Sequence, residues 1–416
     1  MSTQIPVASY RGAMKVLADR SMRQALYDQG GVVMDDVLLT LHGDPHRQRR
    51  LLEFKVFRKD FFQYYESQVF PAALGQVMAA FEARGGMDLV DFGYRMTMNL
   101  TADFAGVDRT QKTPEETETL LKMVKIFSQA ATIAHSKLDK DEVRRQATEA
   151  LATLKQDFLQ SSIARRSALL RAFNEGRITE AELPRDVLTV LLRNEDRLAL
   201  PDEVVLREMA FYLQAGSHST ANSMVHALHE IFIHCDAHPD DVERVRNDPL
   251  FLQRCVHESL RLHPASPVAW RAPDGTCPAN REGQAVDRDS QTSQDAAKLV
   301  VVELGKANRD QSIFGADADL FDPRRSLPSD VPRWGLTFGY GLHMCLGRDL
   351  DGGLVSNEMT DPATHQYGIV TRLIHALLQR NVRRNPDDPP TPDLASERPN
   401  WGRYPVLIDR PGKDPA

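Results

Sequence analysis

A basic excess, long apolar runs and paired cysteines are all missing from this 416-residue sequence. Its formal net charge is -7 and its pI about 6.0, so the electrostatic signature of a nucleic-acid binder is absent. A local basic face for docking an acidic partner is compatible with that total. No apolar stretch approaches the ~18–20 residues that a membrane span needs. The opening MSTQIPVASYRG has neither a basic flank nor an apolar core, and does not read as a signal peptide. Cys235, Cys255, Cys277 and Cys345 are scattered with no CxxC pair, which argues against a disulfide framework or a zinc ribbon. These absences predict a cytoplasmic, reducing location.

What is present is a globular composition, 42% hydrophobic and 26% charged. Length alone would allow two or three domains, but the motifs below span the chain as one unit, residues 1–416. From about Glu115 to Arg171, after Thr113-Pro114, apolar residues recur at helical spacing. Pro201-Asp202 starts a long helix from Glu203 to about His234, interrupted only by Gly216. Another runs from about Asp248 to Leu262, closed by His263-Pro264. Strand signals are few: Leu299 to Leu304 is the clearest, and Tyr404 to Ile408 a weaker one. Two polar stretches, Asp274 to Ala297 and Asp351 to Tyr367, read as surface loops. No internal repeat is evident. The fold class is mainly α with minor β.

The chemistry gathers at Phe338 to Gly347, FGYGLHMCLG. A thiolate that binds a metal needs a tight turn, donors aimed at sulfur and little bulk beside it. Gly339 and Gly341 can supply the turn. The residues after Cys345 can start a helix whose first amides favour a thiolate. This string resembles the haem-binding signature of the cytochromes P-450, with every fixed position present: Phe338, Gly339, Gly341, His343, Cys345 and Gly347. The resemblance implies a triangular prism of helices around haem b, with small sheets at one side. It makes Cys345 the iron ligand, whose thiolate favours O–O cleavage.

Other strings similar to those of the family lie upstream in order. Glu258-Ser-Leu-Arg261 matches its Glu-x-x-Arg, with acid and base on one helical face. The resemblance pairs these two with Arg325, from Phe321-Asp-Pro-Arg-Arg, in a structural role. Leu41-His-Gly-Asp-Pro-His46-Arg-Gln-Arg-Arg50 resembles the family's propionate-binding segment, so His46 and Arg50 are expected at one haem propionate. Arg271 and His343 are further propionate partners by resemblance. Ala307-Asn-Arg-Asp310 is another common family string.

In the long central helix the family carries a glycine, an acid and a threonine in one motif. The glycine opens a groove for dioxygen, and the acid and alcohol relay protons. Here the string is Ala215-Gly216-Ser217-His218-Ser219-Thr220. His218 stands at the acid's position and Ser219 at the threonine's. Three readings are open: His218 shuttles protons in place of the acid; His218 turns away and Ser219, Thr220 and water deliver them; or the usual hydroxylation route is not followed. Downstream, His226, Glu230 and His234 share one helical stripe. A zincin motif would need histidine at 233, which is isoleucine, so the stripe reads as a solvated face.

The resemblance runs from about Tyr10 to Leu350 and departs in three places. The N-terminus is short: family members usually carry an extra helix and leading strands before the Leu41-to-Arg50 segment. The stretch near 274–297 is longer than usual, and the long helix expected after Leu350 is broken near 351–367 by Asp351-Gly-Gly and Thr360-Asp-Pro. The implied activity is a monooxygenase inserting one oxygen atom of O2 into a lipophilic small molecule. Electrons would come from NAD(P)H through a separate ferredoxin or flavodoxin with its reductase, and a monomer is expected. The alternative is a haem-thiolate enzyme of atypical chemistry: a peroxygenase, or a coupling, desaturation or rearrangement catalyst. The substrate lining is expected from Gly30 to Leu39, Phe158 to Arg177, Leu213-Gln214 and Val268-Ala269.

Overall fold

Helices carry most of the chain in the computed structural model, which describes residues 3–111, 113–274 and 298–409. The longest, Asp202–Ala237, has 36 residues and is therefore about 54 Å long. Pro201 precedes it, and Asp202 and Glu203 place negative charge at the positive end of the helix dipole. Its apolar residues occupy every side, which a helix tolerates only when surrounded. The helices Leu89–Ala105, Pro114–Ala131 and Pro249–Leu262 supply that surrounding.

The expected helical stretch from Glu115 to Arg171 is three consecutive helices, Pro114–Ala131, Lys140–Leu154 and Gln160–Asn174. Side-chain caps set two of the starts: Thr113 accepts from the Glu116 amide at 3.2 Å, and Asp139 from the Glu142 amide at 2.8 Å. The Pro249–Leu262 helix begins where expected, with Asp248 accepting from the amides of Leu250 and Phe251.

The principal sheet has the order β1-β5-β4-β2, from β1 (Thr3–Val7), β2 (Met22–Gln24), β4 (Ala269–Pro273) and β5 (Lys298–Val302). β1 runs parallel to β5; the other pairs are antiparallel, with Gln24 opposite Arg271. The N-terminal segment thus contributes two strands and the helix Tyr10–Ala18. They are short, and β1 is recognisable only through its pairing with β5. A second sheet joins β3 (Gly86–Asp88) to Pro405–Leu407 and Arg383–Arg384. The expected loop after Asp274 falls on residues 275–297, outside the described residues.

Glu258, Arg261 and Arg325 assemble as expected. Both Glu258 carboxylate oxygens accept from Arg261, at 2.6 and 2.9 Å, and Oε1 also accepts from Arg325 Nε at 3.0 Å. All three side chains are buried. Arg261 also donates to the carbonyls of Asn308 and Ala318, and Arg325 to that of Phe314 and to the carboxylate of Asp317. The cluster therefore ties the Pro249–Leu262 helix to the chain that leads into the cysteine loop.

After Leu350 the helix Arg348–Asp351 stops at four residues. Gly353 and Gly368, both at positive φ, turn the chain out and back, and Leu354 N donates to Gln366 O at 3.0 Å across the neck. Buried Glu66 pins the return, accepting from the amides of Tyr367 and Gly368 at 3.0 Å and from Arg372 at 2.7 Å. The loop expected at Asp351 to Tyr367 is thus held at its base.

Candidate functional site

Gly339 and Gly341 have φ of 71° and 69°, the conformations their places in the cysteine turn require. A side chain at Gly341 would also collide with the Leu17 carbonyl, 2.7 Å from its Cβ position. The Cys345 amide closes the turn on Phe338 O at 2.9 Å, and Phe338 packs edge-on against Trp334 at 5.5 Å. The sulfur opens onto a cavity of about 360 Å³. Burial and the neighbouring Asp351 push the Cys345 thiol up to about 11; the Gly347 amide, Arg50 and Arg348 act the other way. A bound metal would remove that proton.

Four basic side chains line the same cavity: His46 and Arg50 from the Gly43–Glu53 helix, Arg271 from β4, and His343 from the loop. The His46 and His343 rings lie 4.5 Å apart, and none of their four ring nitrogens has a hydrogen-bond partner. Burial and the surrounding cations lower the His46 pKa to about 4 and that of His343 to about 2. Burial brings Arg271 down to about 10 and lowers Arg50 as well. Among the described residues Arg271 donates to Gln24 and the Trp270 carbonyl, and Arg50 to the Met344 carbonyl. Four clustered basic groups with no carboxylate bonded to them among the described residues could receive an anion, and the two propionates of haem would supply that charge. The residues present fit the group, and Cys345 would be its metal ligand.

Across the cavity lie Gly216, Ser219 and Thr220 of the central helix. The helix stays unbroken through Gly216, contrary to the expected opening. Any Cβ there would stand 2.4 Å from Thr101 on the Leu89–Ala105 helix, so this glycine permits a close helix crossing. Ser219 donates to the Ala215 carbonyl at 2.5 Å. Thr220 donates to Asp351 at 2.5 Å, and burial raises that carboxyl to about 6.

His218 faces away from the cavity. Its Nδ1 lies 2.5 Å from the Tyr94 hydroxyl, and burial lowers its pKa to about 3. His218 is thus turned aside, as one of the three readings of this motif expects. Asp351 was missed because it lies 131 residues from Thr220. The available signal was an acid six positions after Cys345, where the chain breaks its helix.

The cavity lining departs from expectation. Leu38, Leu39, Val268 and Ala269 contribute, whereas Phe158 to Arg177 and Leu213-Gln214 do not. Phe57, Tyr65, Phe104, Phe211 and Tyr212 form an aromatic wall instead, with Phe57 and Phe104 at 4.6 Å. Helical phase decides part of this: Phe211 and Tyr212 lie about one turn before Ala215 and Gly216, on their face. Tyr212 gives its O–H to buried Glu53 at 2.5 Å. The expected solvated stripe is also corrected. His226 and His234 are buried; His226 stacks on His263 at 4.6 Å, Glu230 meets His263 at 2.6 Å, and His234 meets Asp241 at 2.8 Å. Packing against His263 and Asp241 covers this stripe, while Ile233 on another face of the helix is exposed. No metal-binding group of three such side chains occurs among the described residues.

The sequence profile described as Cytochrome P450 matches residues 13–350. Cytochrome P450 107B1 of Saccharopolyspora erythraea is 34% identical over 168 residues, 40% of this chain and 36% of that one. The chain thus matches only about a third of that relative's length. YjiB of Bacillus subtilis is 23% identical over 348 residues, 82% of this chain and 76% of that one. Among solved structures, CalO2 superposes with a TM-score of 0.68 at 19% identity, covering 98% of this chain and 91% of that one. P450BioI, in complex with an acyl carrier protein carrying hexadec-9Z-enoic acid, gives 0.67 at 18%, covering 97% and 92%. Among the described residues no helix is long and apolar enough to cross a membrane.

Proposed function

The chain belongs to the cytochrome P450 family, and from that premise we propose a haem-thiolate monooxygenase that inserts one oxygen atom of O2 into a lipophilic small molecule. The observation that carries this reading is Cys345 opening onto a cavity ringed by four basic groups that have no ion-pair partner among the described residues. Haem b, when bound, supplies oxygen activation, with the thiolate pushing electron density to the iron. His46, Arg50, Arg271 and His343 hold its propionates, while Phe338, Gly339 and Gly347 shape the cysteine side. The aromatic wall excludes water and takes the apolar substrate.

Proton supply falls to Thr220 with Asp351 behind it, and to Ser219 with water. An acid with a pKa of about 6 can both hold and release a proton near neutrality. Electrons come from NAD(P)H through a separate ferredoxin or flavodoxin and its reductase. A groove beside the cysteine loop supports docking there: Leu51 and Phe54 are 63% and 52% exposed, next to Arg20, Arg47 and Leu342. Such a mixed basic and apolar patch suits an acidic partner.

The test is the reduced carbon-monoxide complex, whose Soret band should be strongly red-shifted. Cys345→Ser should abolish that band, while Cys235→Ser, Cys255→Ser and Cys277→Ser keep it. A thiolate spectrum surviving in Cys345→Ser would overturn the assignment. Product formed only with added peroxide, and none with reductant and partner, would favour the peroxygenase alternative.

A further inference from the structure

Met359 stands 90% exposed midway along the excursion after Leu350, and Val355 on the same loop is 45% exposed. An apolar side chain so exposed forfeits the free energy of burial, and methionine is favoured at surfaces that receive a partner. The tip is ordered locally. Met359 N donates to Asn357 Oδ1 at 2.9 Å and Asn357 N to Thr360 Oγ1 at 2.8 Å, which closes a turn around the exposed side chain. With the neck bonded from Leu354 to Gln366 and pinned by Glu66, the tip is a knob fixed before any contact. Such a knob loses little entropy on binding. Two exposed acids flank it: Glu358, with no ion pair among the described residues, and Asp361, which accepts from Ala363 N and Thr364 Oγ1 at 3.0 Å.

The complement lies on the same chain. The groove beside the cysteine loop has about 670 Å³ and is lined by Leu51, Phe54 and Leu342, with Arg20 and Arg47 beside them. Both arginines are exposed, and neither forms an ion pair among the described residues. Asp44 is the one acid in that lining. An apolar tip with acids around it thus matches an apolar groove with cations around it. Within one molecule the two do not meet, since Met359, Leu51 and Phe54 are exposed together.

We propose that the occupant of the groove is a second copy of this chain. The Met359 tip of each molecule seats in the Leu51–Phe54 groove of the other, with Glu358 and Asp361 at Arg20 and Arg47. The result is a two-fold dimer with two equal contacts. This contact needs no haem chemistry and goes beyond the monooxygenase reading. It covers the groove proposed above for the electron donor, so dimer and donor exclude each other.

Sedimentation of the holoenzyme over about two decades of concentration reads the association. Wild type should pass from monomer to dimer and no further, with a dissociation constant of about 10–100 µM, as befits a small transient contact. Met359→Ser should weaken association about ten-fold or more, and so should Glu358→Arg and Arg47→Glu, each measured alone. Mixing those two charge variants decides the pairing. In the mixed dimer the two reversed charges meet at one contact and the two native charges at the other. The mixture should therefore associate about as tightly as wild type, and that rescue itself shows both variants folded. Met359→Ser leaves the groove intact, so donor-driven turnover should stay at the wild-type level; failure of the donor reading leaves the sedimentation result untouched. Wild type that stays monomeric throughout, association indifferent to Met359→Ser, a mixture no tighter than its components, or growth beyond the dimer would each overturn the proposal.

Discussion

An imidazole passes protons only if it can carry one at working pH and reach the reacting space. His218 meets neither condition: it bonds Tyr94, its pKa lies near 3, and it is absent from the cavity wall. His218→Phe should therefore keep product per reductant within about two-fold of wild type. Asp351→Asn should lower that ratio about ten-fold or more, since positioned acids contribute ~10²- to 10⁴-fold. The sign with pH follows from the raised pKa. Asp351 keeps its proton below about 6, so wild-type coupling should fall as pH rises through that value, and Asp351→Asn should lose this dependence. The folded state also binds this proton more tightly than the unfolded one, so stability falls between the ordinary carboxyl value and about 6. Asp351→Asn should gain in Tm relative to wild type across that window. Uncoupling in His218→Phe with no effect in Asp351→Asn would reverse the two roles.

At the scale of elements, two buried acids join segments far apart in the chain. Glu258 links the Pro249–Leu262 helix to Arg325, and its loss strands a guanidinium in Arg261 that is fully enclosed. Removing one partner of such a network costs ~3–5 kcal/mol, a large share of a domain's stability. Glu258→Ala should therefore show a lowered denaturant midpoint and low haem content; soluble, haem-replete protein of wild-type midpoint would count against the role. Glu66 closes the base of the Asp351–Tyr367 excursion. Glu66→Ala should open that loop to limited proteolysis well before the Pro249–Leu262 helix is cut, because local opening needs fewer bonds broken than global unfolding. Mass spectrometry of the first fragments decides this.

For the molecule as a whole, net charge and local charge diverge: the chain carries -7, yet Arg20 and Arg47 flank the exposed apolar residues beside the cysteine loop. Steered docking of an acidic electron donor weakens with salt as screening shortens its reach. Partner-driven turnover should fall several-fold between about 0.05 and 0.5 M salt, while the carbon-monoxide spectrum stays constant. Arg47→Glu should reproduce that loss at low salt. Salt-independent turnover, or an unaffected Arg47→Glu, would move the docking face elsewhere.

The cysteine loop, the Glu258–Arg261 pair and the His46–Arg50 pair were legible in the sequence because each is a local string, or a pair one helical turn apart, that resembles a family motif. The helix starts at Asp202 and Pro249 were legible because their signals, a proline and an acid, lie beside them in the chain. The partnership of Thr220 with Asp351, the aromatic wall and the strand β1 were not. Each depends on chain segments separated by tens to hundreds of residues that meet only when the central helix is packed. His218 shows the difference at one position: sequence placed an ionisable group in the motif, and packing against Tyr94 decided which way it faces and that it stays neutral. Local spacing fixes which side chains share a face; only long-range packing fixes what that face meets.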